Sequence, residues 1–294
     1  MVDSLIKIKK GKDMSVLQMT FFDVGHGSCT HIQTPNGKNI LLDIGGSDDF
    51  SPAYHLSQVE RIGALDALVI THPHEDHYHD IMNLERYGIK PRILSRTKSG
   101  FPIDRTKLDE KDRDKVDYIN AMNDSYTKDV EPDEDPFLPG VNGGLEWHSL
   151  YPDKSDRDRE DPNTFSGVYV LNFGGCKIIL TGDNNKEILA KMVRNSEFAS
   201  AVKNAHFLLA PHHGRTTDFC PEFFEVVNPA ATIISDKCCE HDSQIDSANA
   251  YNNGRGIWLN GENRHVLTTR KDGNIVLRIT DQGNFSISNW KHKE

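Results

Sequence analysis

Residues 16–43 read as short apolar runs broken by turn signals. The runs cover 16–22, 29–33 and 39–43, separated by Gly25-His26-Gly27 and Pro35-Asn36-Gly37-Lys38. That pattern predicts consecutive strands of a meander. Over 51–62 the apolar residues Ala53, Leu56, Val59 and Ile62 fall three apart and the run stops at Gly63, which predicts a helix. Ala64–Ile70 is nearly all apolar, as expected of a strand buried on both faces.

Residues 95–160 are polar, with a solvated helix predicted over 109–122, and they read as an insertion on the domain and not as a second core. Beyond them, 167–173 and 176–180 form a predicted hairpin about Gly174-Gly175 that leads into Thr181-Gly182-Asp183. A helix follows over 185–195, with Ile188, Leu189 and Met192 apolar, then buried strands at 206–210 and Ala231–Ile234. A closing hairpin is expected from 266–269 and 274–279 about Lys271-Asp272-Gly273. Strands and helices in this mixture define an α/β class, read as a single domain over 1–294.

Composition narrows the class. Hydrophobic residues make up 36% and charged residues 27% of the 294, a globular balance with no repeat and no long low-complexity run. The longest apolar stretches fall far short of the roughly 20 residues of a membrane span, so no membrane association is expected. The opening residues lack the features of a signal peptide. Five cysteines (Cys29, Cys176, Cys220, Cys238, Cys239) without a disulfide spacing predict a reducing, cytoplasmic location. The adjacent Cys238-Cys239 lacks the two-residue gap of zinc motifs and reads as idle thiols.

The net charge is −10, yet residues 101–160 alone hold 17 acidic against 9 basic side chains. The rest of the chain carries only −2, so the acidity does not exclude a polyanionic substrate. The acidic stretch itself is a candidate docking surface for a basic protein partner, although most charge runs are solvated faces.

Chemistry concentrates at His72-Pro73-His74-Glu75-Asp76-His77, directly after the strand Ala64–Ile70. Open α/β sheets place their ligands at such strand ends. In an extended loop, spacing of two aims His72 and His74 toward one point, while Asp76 and His77 reach a second point nearby. Two points suggest two divalent ions, and imidazoles with carboxylates suit Zn or Mn. A second buried strand also runs into histidines, at Pro211-His212-His213-Gly214.

The motif His72-x-His74-x-Asp76-His77, with Leu41-Leu42-Asp43-Ile44-Gly45-Gly46 before it, resembles the signature of the metallo-β-lactamase superfamily. Phe22-Asp23-Val24-Gly25-His26-Gly27, Thr181-Gly182-Asp183 and Pro211-His212-His213-Gly214 resemble more specifically the hydrolase domain attached to ComEC/Rec2-type DNA-uptake proteins, and its stand-alone relatives. The resemblance implies an αββα sandwich with the metals at one edge. It implies His72 and His74 on a first metal, Asp76 and His77 on a second, and Asp183 bridging them. Asp43 would orient a ligand histidine from behind. Asn163 stands where many members carry a further histidine, so His212 or His213 would complete the ligand set. His241 resembles the late histidine of the family and is a further metal candidate. His26 stands where relatives often carry Gln and would face the substrate, while Gly214, Arg215 and Thr216 would offer phosphate contacts.

These features predict a metal-dependent hydrolase, foremost a phosphodiesterase or nuclease acting on DNA, RNA or a nucleotide. Asp76 would accept the proton of the attacking water, and His212 or His213 would donate to the leaving oxygen. An ester, thioester or lactam hydrolase is the alternative, because the same activated water attacks carbonyls. A non-catalytic interaction module is the third reading.

Overall fold

The computed structural model describes residues 15–237 and 242–291. The first sheet holds seven strands: β1 (Val16–Phe21), β2 (Thr30–Gln33), β3 (Asn39–Leu42), β4 (Ala64–Ile70), β5 (Lys90–Arg96), β14 (Asn274–Thr280) and β15 (Phe285–Trp290), in the order β15-β14-β1-β2-β3-β4-β5. The second holds β6 (Glu146–Leu150), β7 (Val168–Phe173), β8 (Cys176–Leu180), β9 (Phe207–Leu209), β10 (Ala231–Ile234) and β13 (Val266–Thr268), in the order β13-β10-β9-β8-β7-β6. A short ribbon of β11 (Ile257–Leu259) and β12 (Glu262–Arg264) stands apart. The predicted meander is present as the antiparallel run β1, β2, β3, and β7 and β8 pair as the predicted hairpin.

Alternation along the strands explains the layering, because successive side chains point to opposite faces. Ile40, Leu42, Ala67 and Val69 of the first sheet pack against Leu171, Ile178, Leu180 and Ile233 of the second, forming the seam between the sheets. Their neighbours Leu41, Leu68 and Ile70 turn outward and meet Leu56, Ile81, Leu84, Val116 and Ile119 of the flanking helices. On the far side Val170, Ile179 and Leu208 meet Leu189, Phe198, Phe223 and Val227. Helix, sheet, sheet, helix is the αββα sandwich.

Three expectations need correction. Residues 266–269 and 274–279 do not form a hairpin: β13 pairs in parallel with β10 in the second sheet, whereas β14 pairs with β1 and β15 in the first. The short helix Thr269–Asp272 carries the chain from one sheet to the other. The helix expected at 51–62 is one α turn, Pro52–Tyr54, followed by a π turn, His55–Val59. The wider turn takes Val59 off the buried side, where it is 60% exposed. Nor does the polar stretch lie wholly outside the core. Its helix Arg113–Ser125 buries Val116 and Ile119, and β6 is an edge strand of the second sheet.

Candidate metal centre

Strands β3, β4 and β5 run parallel, as do β8, β9, β10 and β13, and the predicted site residues leave from their C-terminal ends. Asp43 follows β3, the segment 71–77 follows β4, Asp183 lies just beyond β8, and His212 and His213 follow β9. Backbone bonds lock these loops together. Ser28 N–H donates to the Asp76 carbonyl at 3.3 Å, Ile44 N–H to the His77 carbonyl at 2.8 Å, and His212 N–H to the Gly182 carbonyl at 3.1 Å. Gly45 is required for this approach: a β-carbon there would collide with the Asp76 carbonyl oxygen and lie 2.8 Å from that of Ser28.

Asp76, His77, Asp183 and His213 bring ligand atoms within 4.8 Å of one another. His77 Nε2 and His213 Nε2 each lie 3.2 Å from an Asp183 oxygen. His213 Nε2 is also 3.1 Å from Asp76 Oδ2. His72 Nε2 stands 3.9 Å from Asp183 and 3.1 Å from His74 Nδ1. Asp183 therefore sits between the two groups of histidines that the sequence set apart.

Three of the imidazoles are held from behind. His77 Nδ1 bonds Asp43 at 2.7 Å, and Asp43 also accepts from the Thr71 amide and hydroxyl at 2.8 and 2.9 Å. His213 Nδ1 bonds the Ser235 carbonyl at 3.0 Å. His212 Nδ1 lies 2.8 Å from Asp218, while its Nε2 is 3.9 Å from Asp183. The two adjacent histidines diverge because both adopt left-handed backbone, φ 48° and 53°, conformations that a non-glycine residue holds only under constraint.

Charge distribution gives the site its chemical character. Burial opposes ionisation of Asp183 and Asp76, yet His213 and His77 outweigh it and hold both carboxyls well below the usual range. Burial likewise opposes a charge on His77, but Asp183, Asp43 and Asp76 raise its pKa well above the ordinary value. The same balance pushes His213 to about 10. His72 and His74 go the other way, lowered chiefly by burial, and are neutral imidazoles suited to ligation. Buried carboxylates at this density call for positive charge, and His77 Nε2 is itself buried without a hydrogen-bond partner. The donor set fits a divalent metal ion.

The other predicted residues are placed as follows. His26 Nε2 lies 3.5 Å from Asp76 and its ring 4.7 Å from that of His213, so the Gly-His-Gly turn reaches the cluster. Asn163 lies in the turn Pro162–Phe165, with its Oδ1 buried and without a hydrogen-bond partner. Gly214 packs against Ile234, the Thr216 hydroxyl donates to the Ser243 carbonyl at 3.1 Å, and Arg215 Nε is buried without a hydrogen-bond partner. His241 and the Cys238-Cys239 pair fall outside the described residues. Cys29, Cys176 and Cys220 are free and buried.

Sequence reasoning missed Thr71, Ser235 and Asp218, which orient the histidines. It also missed Lys115, whose ammonium contacts Glu75 inside the histidine motif and lies 3.0 Å from His79 Nδ1. Only the place of Thr71, between a buried strand and a ligand motif, gave a signal.

A two-sheet sandwich that gathers histidines and carboxylates at the C-terminal ends of its strands defines a metal-dependent hydrolase. The chain belongs to the metallo-beta-lactamase superfamily, whose sequence profile matches residues 22–218. It is 25% identical over 92% of its length to ComE operon protein 3 of Bacillus subtilis (strain 168), and spans about a third (34%) of that protein. Over 21% of its length it is 43% identical to a UPF0173 metal-dependent hydrolase of Roseiflexus castenholzii, covering 25% of that protein. Among solved structures, the metallo-beta-lactamase fold protein YhfI from Bacillus subtilis aligns with a TM-score of 0.47 at 13% identity, over 92% of this chain and 100% of that one. A diphosphatase from the PhnP family aligns with a TM-score of 0.44 at 14% identity, over 90% and 98%. Among the described residues no helix is long and apolar enough to cross a membrane.

Proposed function

We propose that the chain is a phosphodiesterase acting on nucleic acid or a nucleotide, with two divalent ions, Zn or Mn, held by His72, His74, Asp76, His77, Asp183 and His213. The observation that carries the metal assignment is the place of Asp183, within 3.9 Å of imidazole nitrogens of His72, His77, His212 and His213. Only a carboxylate offers two charged oxygens to two cations. His213, bonded to Ser235 behind and facing Asp76 and Asp183 in front, fits a ligand better than His212.

Bound there, the ions supply a water that ionises near neutral pH and positive charge for the phosphoryl oxygens. The residues of the chain do the rest. Asp43 and the Ser235 carbonyl fix the orientation of His77 and His213. Asp76, about a fifth exposed, would orient the attacking water and receive its proton through the oxygen not given to a metal. His212, beside Asp218, would donate to the leaving oxygen.

Arg215 favours a phosphoryl over a carbonyl substrate. It follows His212-His213-Gly214 directly, its Nε is a buried donor without an acceptor, and a guanidinium pairs with phosphate oxygens in bidentate fashion. The acidic stretch 101–160 as a protein-docking surface and a cytoplasmic location belong to the same reading, as does a single hydrolase domain.

The test is turnover of bis-p-nitrophenyl phosphate and single-stranded DNA with Mn²⁺ or Zn²⁺, beside p-nitrophenyl acetate and nitrocefin. Cleavage of the carbonyl substrates alone overturns the assignment. Elemental analysis of Asp183→Ala, expected to lose bound metal, tests the bridging role.

A further inference from the structure

A groove of about 790 Å³ runs along the free edge of the first sheet, between β5 and the segment that follows the helix Arg113–Ser125. Lys90, Arg92, Arg96, Lys98 and Lys128 line it, together with the ring of Tyr126. Lys90, Arg92, Leu94 and Arg96 fall on one face of β5 by the alternation of a strand, with Leu94 buried between the two arginines. Lys98 continues the series in the turn beyond. Lys90 and Arg92 are same-face neighbours about 6.5–7 Å apart, a spacing comparable to that of successive phosphates along an extended single strand.

Three carboxylates also line the groove, fewer than its five cations. Asp66 is occupied by Lys38 at 3.1 Å and by the Asn39 amide at 2.8 Å. Glu134 stands 3.8 Å from Arg92 with both side chains more than 60% exposed, a contact an incoming phosphate displaces at little cost. Asp129 is the third. A local excess of cations in a chain of net charge −10 marks the groove off from its surroundings. Tyr126, partly buried against the core with its hydroxyl donating to the Pro91 carbonyl, adds an aromatic side chain to the lining, and single-strand binders combine cations with aromatic rings.

The groove also has a direction. β4 and β5 are parallel with Ile70 opposite Arg96, so the Arg96 end lies where β4 feeds the histidine motif. The turn Lys98–Gly100 packs against that motif, close enough that a β-carbon on Gly100 would lie 3.3 Å from Pro73 Cγ.

We infer that this groove binds the sugar-phosphate backbone of a single-stranded nucleic acid and leads it toward the metal centre, an inference whose functional sense rests on the phosphodiesterase reading. The test is anisotropy of a short fluorescein-labelled oligothymidylate in EDTA, across a salt series. Three proteins are compared: the native chain, Lys90→Gln/Arg92→Gln/Lys98→Gln, and Lys186→Gln/Arg194→Gln/Lys203→Gln, which removes equal charge from the opposite layer. Arg96 is kept because it holds the Asn123 and Tyr126 carbonyls.

The groove variant is expected to bind at least about tenfold more weakly, with the slope of log affinity against log salt smaller by about 2. The control variant is expected to stay within about twofold of the native chain. Unchanged binding by the groove variant, or equal weakening in both variants, overturns the inference, as does a duplex of the same length binding more tightly than the single strand. Hydrolysis of bis-p-nitrophenyl phosphate by the native chain, read separately with metal, reports on the phosphodiesterase assignment alone.

Discussion

Asp43 Oδ2 lies 2.7 Å from His77 Nδ1, with both side chains fully buried, so the far nitrogen of that imidazole faces Asp183. The Asp43 backbone is itself left-handed, at φ 58°. Asp43→Asn keeps the shape and removes the charge that fixes the tautomer of His77. Metal affinity is expected to fall about 10–100-fold, read by competition with a chromophoric chelator. Native affinity in the variant would reduce Asp43 to a turn residue.

Gly45 gives a steric counterpart. Gly45→Ala places a methyl against the Asp76 and Ser28 backbones, which cannot rotate away as a side chain can. A loss of about 1–3 kcal/mol or more is expected in urea unfolding, with weakened metal binding. An unchanged midpoint would mean that the 23–28 turn shifts freely.

The pH dependence of the metal-free protein follows from His213. Its pKa, raised to about 10 by Asp183 and Asp76 against the opposing effect of burial, exceeds the ordinary histidine value. Stabilisation by the charged ring is therefore complete below about 6.5 and is lost as pH climbs toward 10. Denaturation of the chelated protein should show lower stability at pH 9.5 than at 6.5, and His213→Gln should reduce the difference, the raised pKa of His77 supplying the remainder. Metal must displace the same proton, so calorimetric titration of Zn²⁺ at pH 7.5 in buffers of different ionisation enthalpy should report proton release.

Lys115 ties the helix Arg113–Ser125 to the histidine motif through Glu75 and His79. The ion pair is partly exposed and worth about 1 kcal/mol at most, so Lys115→Ala should barely move global stability. Local opening should change instead, with faster hydrogen exchange across 74–79 and 113–125. Uniform exchange in both proteins would show that apolar packing by Val116 and Ile119 suffices.

Legibility in the sequence followed the range of the interactions. The run Ala64–Ile70 and the histidines after it are contiguous, so strand and ligand motif declare each other. Asp183 was readable through the resemblance of Thr181-Gly182-Asp183 to the family, at the end of a hairpin that the sequence marks with Gly174-Gly175. The closing hairpin failed because two apolar runs around a turn look alike whether they pair with each other or with strands far away. Nothing local distinguishes β13 bound to β10 from β13 bound to β14. His212 and His213 could not be ranked for a related reason. Two left-handed residues in succession decide which ring turns to Asp218 and which to Asp76, and that backbone is imposed by Gly182, Ser235 and Ile234 from other strands. Thr71 and Asp218 are ordinary polar residues whose roles exist only once the strand ends meet.

The pairing of β1 with β14 also bears on how the molecule assembles. Val16 meets Thr280, so the strand that fills this flank of β1 is synthesised about 260 residues after it. Until then β1 presents an open ladder and Leu17, Met19 and Phe21 lack part of their cover. Pairings so distant in sequence close slowly and leave nascent chains prone to aggregate. Expression yield should accordingly depend on chaperone supply more steeply than the stability of the finished protein suggests.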